Sequence, residues 1–428
     1  MTAIVTVKLL EYAVDRDWPP VVGALLFVSL LTAGYYYNLT FVQLGLFDLG
    51  VNRVGMSHVG VSLAMALLAL LAFLTAVVTG VALDRTGWSQ TLLVKLRLVL
   101  AVVLTQLVLT AVAPLVTTPA QFLGWVVVCA ISLGVGMPTT LSLTIDFVPV
   151  RDRGYVAAAV AALSFFVAAI YPLEWSIEEF STVLVAAMIP GAVVLALLAS
   201  GRLGIVETFA EQHREFGTGR FCRPDPVSTW SLTFWTLVVL MFGVFFIDSL
   251  GFLRLVETPT YIFTSWQSPD LRVRLFIAFA HVVGAGMAGV LYTNFERRWL
   301  FLWVFGLFSV THLLYTFDIR AAQAGDPSLL LPLFYVLAVS FYTTLNFALW
   351  PDLSTPETIG THSAIGLGMA GFLATFLSTG VALYFQALEV TLFDHLNVVN
   401  ALALLLFVSL AVLLYVRRMI VLARTGEA

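Results

Sequence analysis

Long apolar runs separated by short polar breaks dominate this chain. Stretches such as Leu63–Val81 and Ala401–Val416 carry no charge. A membrane helix needs about 20 apolar residues, whereas a transmembrane barrel shows short segments of alternating polarity. The runs therefore read as helices. Breaks at charges, Pro and Gly divide the chain into twelve expected spans: 21–46, 57–83, 92–116, 121–145, 154–173, 181–201, 230–254, 271–293, 298–317, 328–349, 362–388 and 395–418. The longest polar stretch, 204–229, holds Glu207, Glu211, His213, Arg214, Glu215, Arg220, Arg223 and Asp225, with Pro224 and Pro226. It separates two sets of six spans. The expected organisation is an N-terminal segment 1–20, a six-helix bundle 21–203, a central loop 204–229, a second six-helix bundle 230–418 and a tail 419–428.

Composition agrees with this pattern. The chain has 428 residues, 60% hydrophobic and 11% charged, against about 25% charged in soluble domains. It has too few charges to cover a water-facing surface, which excludes disorder and a soluble multidomain enzyme. A net charge of −4 is too small to imply a charged partner, and no nucleic acid is expected. Cys129 falls in a span and Cys222 in the central loop, so no disulfide is expected and no metal motif uses them. Met1–Pro20 lacks the charged-then-apolar order of a cleavable signal. Its apolar Ile4, Val5, Leu9, Leu10 and Val14 suit a short amphipathic helix on the membrane surface.

The basic residues set an orientation. With the N-terminus in the cytoplasm, 16 of the 21 Lys and Arg residues lie on the cytoplasmic side, and Arg53, Arg254, Arg272, Arg274 and Arg320 lie outside. An odd number of spans would scatter this bias. A multi-pass protein of the cell membrane with both termini cytoplasmic is expected.

The two halves echo one another, as repeats in transporters do. Gly34-Tyr-Tyr-Tyr-Asn-Leu in span 1 echoes Gly243-Val-Phe-Phe-Ile-Asp248 in span 7. Gly80 echoes Gly289, Thr139-Thr-Leu echoes Thr343-Thr-Leu, and Gly154 echoes Gly360. The offsets, from 204 to 209 residues, are nearly constant.

Span 2 ends in Gly80-Val-Ala-Leu-Asp84-Arg85-Thr-Gly87-Trp-Ser. Gly80 lets two helices approach closely, Asp84 and Arg85 mark the return to water, and Gly87 permits a tight turn. After span 4 comes Asp146-Phe-Val-Pro149-Val-Arg151-Asp-Arg153-Gly154, whose second-half counterpart is Asp352-Leu-Ser-Thr-Pro356-Glu-Thr-Ile-Gly360. These segments resemble the loop signatures of the major facilitator superfamily, Gly-x-x-x-Asp-Arg-x-Gly and acidic-x-x-Pro-x-x-x-Arg-Gly. The trailing basic pair of the first signature is absent, with Trp88 and Ser89 in its place. Lys95 and Arg97 are the nearest charges that could replace it. The second-half counterpart of that loop, Gly289 to Arg298, keeps its glycine and basic pair but loses Asp-Arg. The second-half counterpart of the span 4–5 loop lacks the arginine.

The resemblance implies an all-α integral membrane fold, about 12 transmembrane helices in two pseudo-symmetric six-helix bundles, working by alternating access. It implies that Gly80, Asp84, Arg85, Gly87, Asp146, Arg151 and Arg153 form a gate. Asp84 would latch it through Arg151 or Arg153 and the start of span 11. Opposite charges and a helix dipole supply a few kcal/mol at most, which suits a gate that must reopen. By the same resemblance, spans 1, 4, 7 and 10 line the cavity.

Polar groups in hydrocarbon are costly and face a bundle interior or cavity. Chosen by polarity, the candidates for substrate binding or coupling are Tyr36, Asn38, Gln43, Thr140, Thr144, Asp248, Ser249, Thr344, Asn346 and His281. Asp248 lies in an apolar run between Phe246 and Leu250. It could carry a proton during transport or pair with a cationic substrate. Alternatively it sits near the outer edge and pairs with Arg254. His281 is either a proton relay or a hydrogen-bonded structural residue.

The expected activity is secondary transport or facilitated movement of a small solute, with H+ as candidate coupling ion, in a monomer. No phosphate-binding loop and no His-Glu-x-x-His motif is present, so ATP use, a cofactor and enzymatic activity are not expected. Span 5 lacks the repeated glycines of many drug/proton antiporters, and span 6 lacks the Pro-Glu-Ser-Pro-Arg pattern of sugar porters. Two alternatives stay open. A polytopic membrane enzyme would need clustered His, Asp or Glu near one face, and here they are scattered. A transporter-like sensor or assembly protein fits the incomplete signatures.

Overall fold

The computed structural model describes residues 7–170, 176–215, 227–256, 265, 267–295, 297–321 and 329–425. Among these, twelve helices are long and apolar enough to cross a membrane. They are Trp18–Arg53, His58–Arg85, Leu92–Leu115, Pro119–Phe147, Val150–Ile170, Ile177–Ala199, Leu232–Gly251, Leu271–Asn294, Arg297–Arg320, Leu330–Asp352, Ile359–Ala387 and Leu392–Val416, numbered spans 1 to 12. Charge and proline breaks place most ends within a few residues.

Span 1 is the exception, because it runs on past 46 to Arg53. Its last turns widen into π-helical stretches at Asn38–Gly45 and Leu49–Arg53. The polar residues there, although Asn52 and Arg53 are exposed, tie the helix down. Asp48 accepts hydrogen bonds from the Asn52 amide at 2.5 Å and the Ile177 N–H at 2.9 Å, and Arg53 pairs with Glu178. Both partners Ile177 and Glu178 begin span 6.

The central polar stretch opens with a helix, Gly204–Glu215; residues 216–226, with Cys222, lie outside the described residues. Ahead of span 1 sits a short helix, Lys8–Val14. Ile4 and Val5, which were to extend it, lie outside the described residues. The helix is held to the span 4–5 loop, because Asp152 accepts from the N–H groups of Lys8 at 2.9 Å and Leu9 at 2.6 Å.

Within the first six spans, span 1 packs on 5, span 2 on 4, and span 3 on 4 and 6. Within the second six, span 8 packs on 10, span 9 on 10 and 12, and span 7 on 11 and 12. Between the sets, span 2 meets 11, span 5 meets 8 and 10, and span 4 meets 11. Large apolar side chains such as Leu74, Val78, Val239, Leu405 and Val412 point outward, as a lipid-facing surface requires.

Two of these seams are made of glycine. A Cβ on Gly80 would collide with the Gly360 carbonyl, and a Cβ on Gly360 would lie 2.6 Å from the Gly80 carbonyl. A Cβ on Gly154 would lie 3.1 Å from the Gly289 carbonyl, and the reverse distance is also 3.1 Å. Without hydrophobic drive between helices in lipid, such small-residue contacts carry the packing. The four glycines are the two echoed pairs of the sequence. Exchanging the halves turns the Gly80–Gly360 contact into the Gly289–Gly154 contact, so the internal repeat is a repeat in space.

Candidate functional site

A cavity of about 1530 Å³ lies between the two sets of six spans. Its walls come from spans 1 to 11 and are mostly apolar and aromatic. It reaches Asp48, Asn52, His58 and Gln386 at the far ends of spans 1, 2 and 11. The opposite end, the face carrying the N-terminal helix and the span 2–3 and 4–5 loops, is closed.

Of the polarity-chosen residues, Tyr36, Asn38, Gln43, Thr140, Asp248, Ser249, His281 and Asn346 line this cavity. Asn38 and Gln43 sit on the first π-helical stretch of span 1, and π-turns are frequent at functional positions. Thr144 and Thr344 do not line it, and both are buried among helices. Thr344 shares a helix face with Ser340, four residues earlier, and that face packs on His281 of span 8. Thr144 falls beyond the break that ends the main helix of span 4 at Ser142.

Asp248 is the centre of the polar chemistry. Its two carboxylate oxygens accept hydrogen bonds from the phenols of Tyr335 and Tyr342, each at 2.5 Å. These tyrosines are seven residues apart on span 10, two turns along one face. That spacing is the signal that could have found Tyr335. The side chain of Arg254, the other partner considered, lies outside the described residues. Rings surround the pair. Phe245 packs on Tyr342 with centroids 4.6 Å apart, and Tyr35 meets Phe347 at 5.0 Å and Phe165 at 5.7 Å, both edge-on. His281 is stacked on Phe165 at 4.1 Å and bonded through Nδ1 to the Ser340 hydroxyl at 2.9 Å. Ser249 receives a hydrogen bond from Ser378 of span 11 at 2.8 Å.

At the closed end, Asp84 accepts two backbone N–H groups from the start of span 11, Gly360 at 3.0 Å and Thr361 at 2.6 Å. A carboxylate at a helix N-terminus meets both free donors and the positive end of the dipole. Neither arginine offered as its partner is there. Arg151 is exposed, and Arg153 is buried against span 10, where it donates to the Pro351 carbonyl at 2.9 Å and the Asp352 carboxylate at 3.1 Å. The same carboxylate accepts from Arg297 and Tyr292, both at 2.7 Å. A buried arginine needs an acid rather than a loop position, and Asp352 is the acid within reach.

Asp146 is also not part of the seam. It pairs with Lys95 of span 3 inside the first half, so Lys95 does not replace the missing basic pair. Arg97 is exposed and donates to the Ala199 carbonyl at 3.2 Å. Arg85 is exposed. Gly87 turns the chain with φ of 72°, a left-handed conformation that suits glycine. Close by, His362 bridges the Thr358 and Val227 carbonyls, each at 2.8 Å, joining span 11 to the end of the central stretch.

No protein-family model matches the sequence, and no curated protein sequence matches it. Solved structures do. The human organic anion transporter MFSD10 (TETRAN) aligns with a TM-score of 0.62 at 16% identity, over 91% of this chain and 98% of that one. XylE, a major facilitator proton:xylose symporter bound to 6-bromo-6-deoxy-D-glucose, aligns with a TM-score of 0.60 at 12% identity, over 91% and 94%. The chain is therefore a multi-pass membrane protein with the major facilitator fold.

Proposed function

We propose that the chain is a secondary transporter that moves a small solute by alternating access. The observation that carries this is the cavity between the two halves, reaching one face while glycine seams, Asp84 and Asp352 close the other. The charged contacts that close this face are few, Asp84 on the start of span 11 and Asp352 with Arg153, and they lie beside apolar glycine packing. With the basic residues inside, both termini are cytoplasmic, the membrane is the cell membrane and the cavity faces outward. The protein works as a monomer and is not an enzyme. That two structures described as transporters share the fold over 91% of this chain is in keeping with this reading.

Asp248 is the coupling carboxylate, since it is the charged group set deepest among the rings of the cavity. The test is uptake and efflux of a solute panel in proteoliposomes, with and without a pH gradient. Asp248→Asn should abolish gradient-driven accumulation and leave exchange at saturating solute. Failure of every solute to move faster than in protein-free vesicles would overturn the transporter reading. Normal pH-driven accumulation by the variant would overturn the role of Asp248 alone.

A further inference from the structure

The charge on the cavity wall is one-sided. The described lining residues include two carboxylates, Asp48 and Asp248, and no Lys or Arg. Asp48 sits at the open end and is engaged by Asn52 and Ile177. Asp248 lies deeper, and its hydrogen-bond partners are two neutral phenols. Phenols satisfy two of the roughly four lone-pair positions of a carboxylate but leave its charge uncompensated. A carboxylate withdrawn from water favours a partner that brings positive charge.

The surroundings define the rest of that partner. The rings of Tyr35, Phe165, Phe245, Tyr342 and Phe347 line the same space, and aromatic rings attract cations placed over their faces within about 6 Å. The remaining wall is apolar, and the volume of about 1530 Å³ exceeds the roughly 300–1,000 Å³ of ordinary ligand pockets. An anion would find no described Lys or Arg to pair with, only His58 at the open end and His281, which is bonded to Ser340 and stacked on Phe165, and it would face Asp248.

We propose that the cavity selects an amphipathic organic monocation, an ammonium or similar onium group on a bulky apolar body, with Asp248 as its counter-ion. The proposal names the substrate class of the transport site and so rests on the transporter reading. Its test is binding, which needs no transport.

Full-length protein in lipid nanodiscs is titrated with labelled tetraphenylphosphonium at mildly alkaline pH, with unlabelled tetraphenylphosphonium or tetraphenylborate as competitor. The two ions share size and shape and differ in sign. Saturable binding of the cation is expected, with the anion competing roughly 100-fold more weakly. Asp248→Asn should weaken cation binding about tenfold or more, while Asp248→Glu, which keeps the charge, should retain most of it. Equal competition by tetraphenylborate, unchanged binding by a monodisperse Asp248→Asn protein, or no saturable binding by the wild type would each overturn the proposal. If Asp248→Asn does not fold, the cation–anion comparison on the wild type decides. Cation binding without transport of any solute would sink the transporter reading alone. Transport of a neutral or anionic solute without cation binding would sink the substrate class alone.

Discussion

Asp84→Asn isolates the latch. The asparagine keeps the shape and one acceptor oxygen, but loses the negative charge and one of the two bonds to Gly360 and Thr361. A hydrogen bond to a charged group contributes about 1.5–3 kcal/mol net. A carboxylate on a helix N-terminus adds about 0.3–1 kcal/mol, up to ~2 when partly buried. Asparagine recovers one neutral bond of about 1 kcal/mol. Two bonds to a charged acceptor give way to one neutral bond, so the net loss is at least about 2 kcal/mol, a change of about 30-fold or more in an equilibrium constant. A 99:1 preference for the closed N-terminal face would fall to about 3:1 or below. Spin labels at the exposed Thr86 and Glu357, one beside each partner, read this as a second, longer distance in a background lacking both native cysteines. A single distance peak identical to that of wild type, in reconstituted protein, would refute the latch.

Three further outcomes follow from the same contacts. Gly80→Ala should open the span 2–11 seam and Gly289→Ala the span 5–8 seam, each at about 1–3 kcal/mol, because the added carbon meets backbone or a neighbouring helix. Gly124→Ala, with open space around it, should leave the label distances unchanged. Lys95→Met removes the cation paired with Asp146 inside one half and should lower the thermal unfolding midpoint, at about 3–5 kcal/mol, without moving the Thr86–Glu357 distance; a shifted distance would place that pair in the gate. Asp352→Asn removes the carboxylate that pairs with Arg153 across the seam and should instead shift the distances at the N-terminal face; unchanged distances would remove that cluster from the gate.

The spans and their number were legible because hydropathy reports lipid contact directly. The end of span 1 was not, because Asp48 and Arg53 read as a return to water and are in fact tied to span 6. At the gate, the signature around Asp84 pointed to span 11, and the carboxylate lies on that helix start. The choice among charged partners was illegible, since pairing depends on distance and linear order carries none. Thus Asp146 takes Lys95, Asp152 takes the N-terminal helix and Arg153 takes Asp352, three acids or bases within eight residues with three separate partners. Of the ten positions that polarity selected, eight line the cavity. Polarity overcounted at Thr344, because neighbouring residues on a helix face different ways, and it overlooked Tyr335, whose ring counts as apolar until its hydroxyl finds Asp248.

The repeat also shows where symmetry was given up. The position 209 residues after Asp84 is Thr293, and a Cβ on Gly154 would meet its hydroxyl oxygen at 2.5 Å. Thr293 thus stands at the start of span 5 as Asp84 stands at the start of span 11. A threonine there brings no charge to the helix dipole, so the second seam lacks an electrostatic latch of the first kind. What it has is the cluster of Arg153, Asp352, Arg297 and Tyr292, built from the arginine that the second-half loop lacks and the acid that it keeps. Parting this cluster must admit water to Arg153 and Asp352, each about 1% exposed, whereas Asp84 is already partly exposed. The two seams therefore differ in how they open. The span 2–11 seam loosens when one carboxylate leaves a helix end, while the span 5–8 and 5–10 seam must wet a buried arginine. Opening at the N-terminal face should begin at Asp84 and finish at Arg153, an order that labels placed across each seam would resolve.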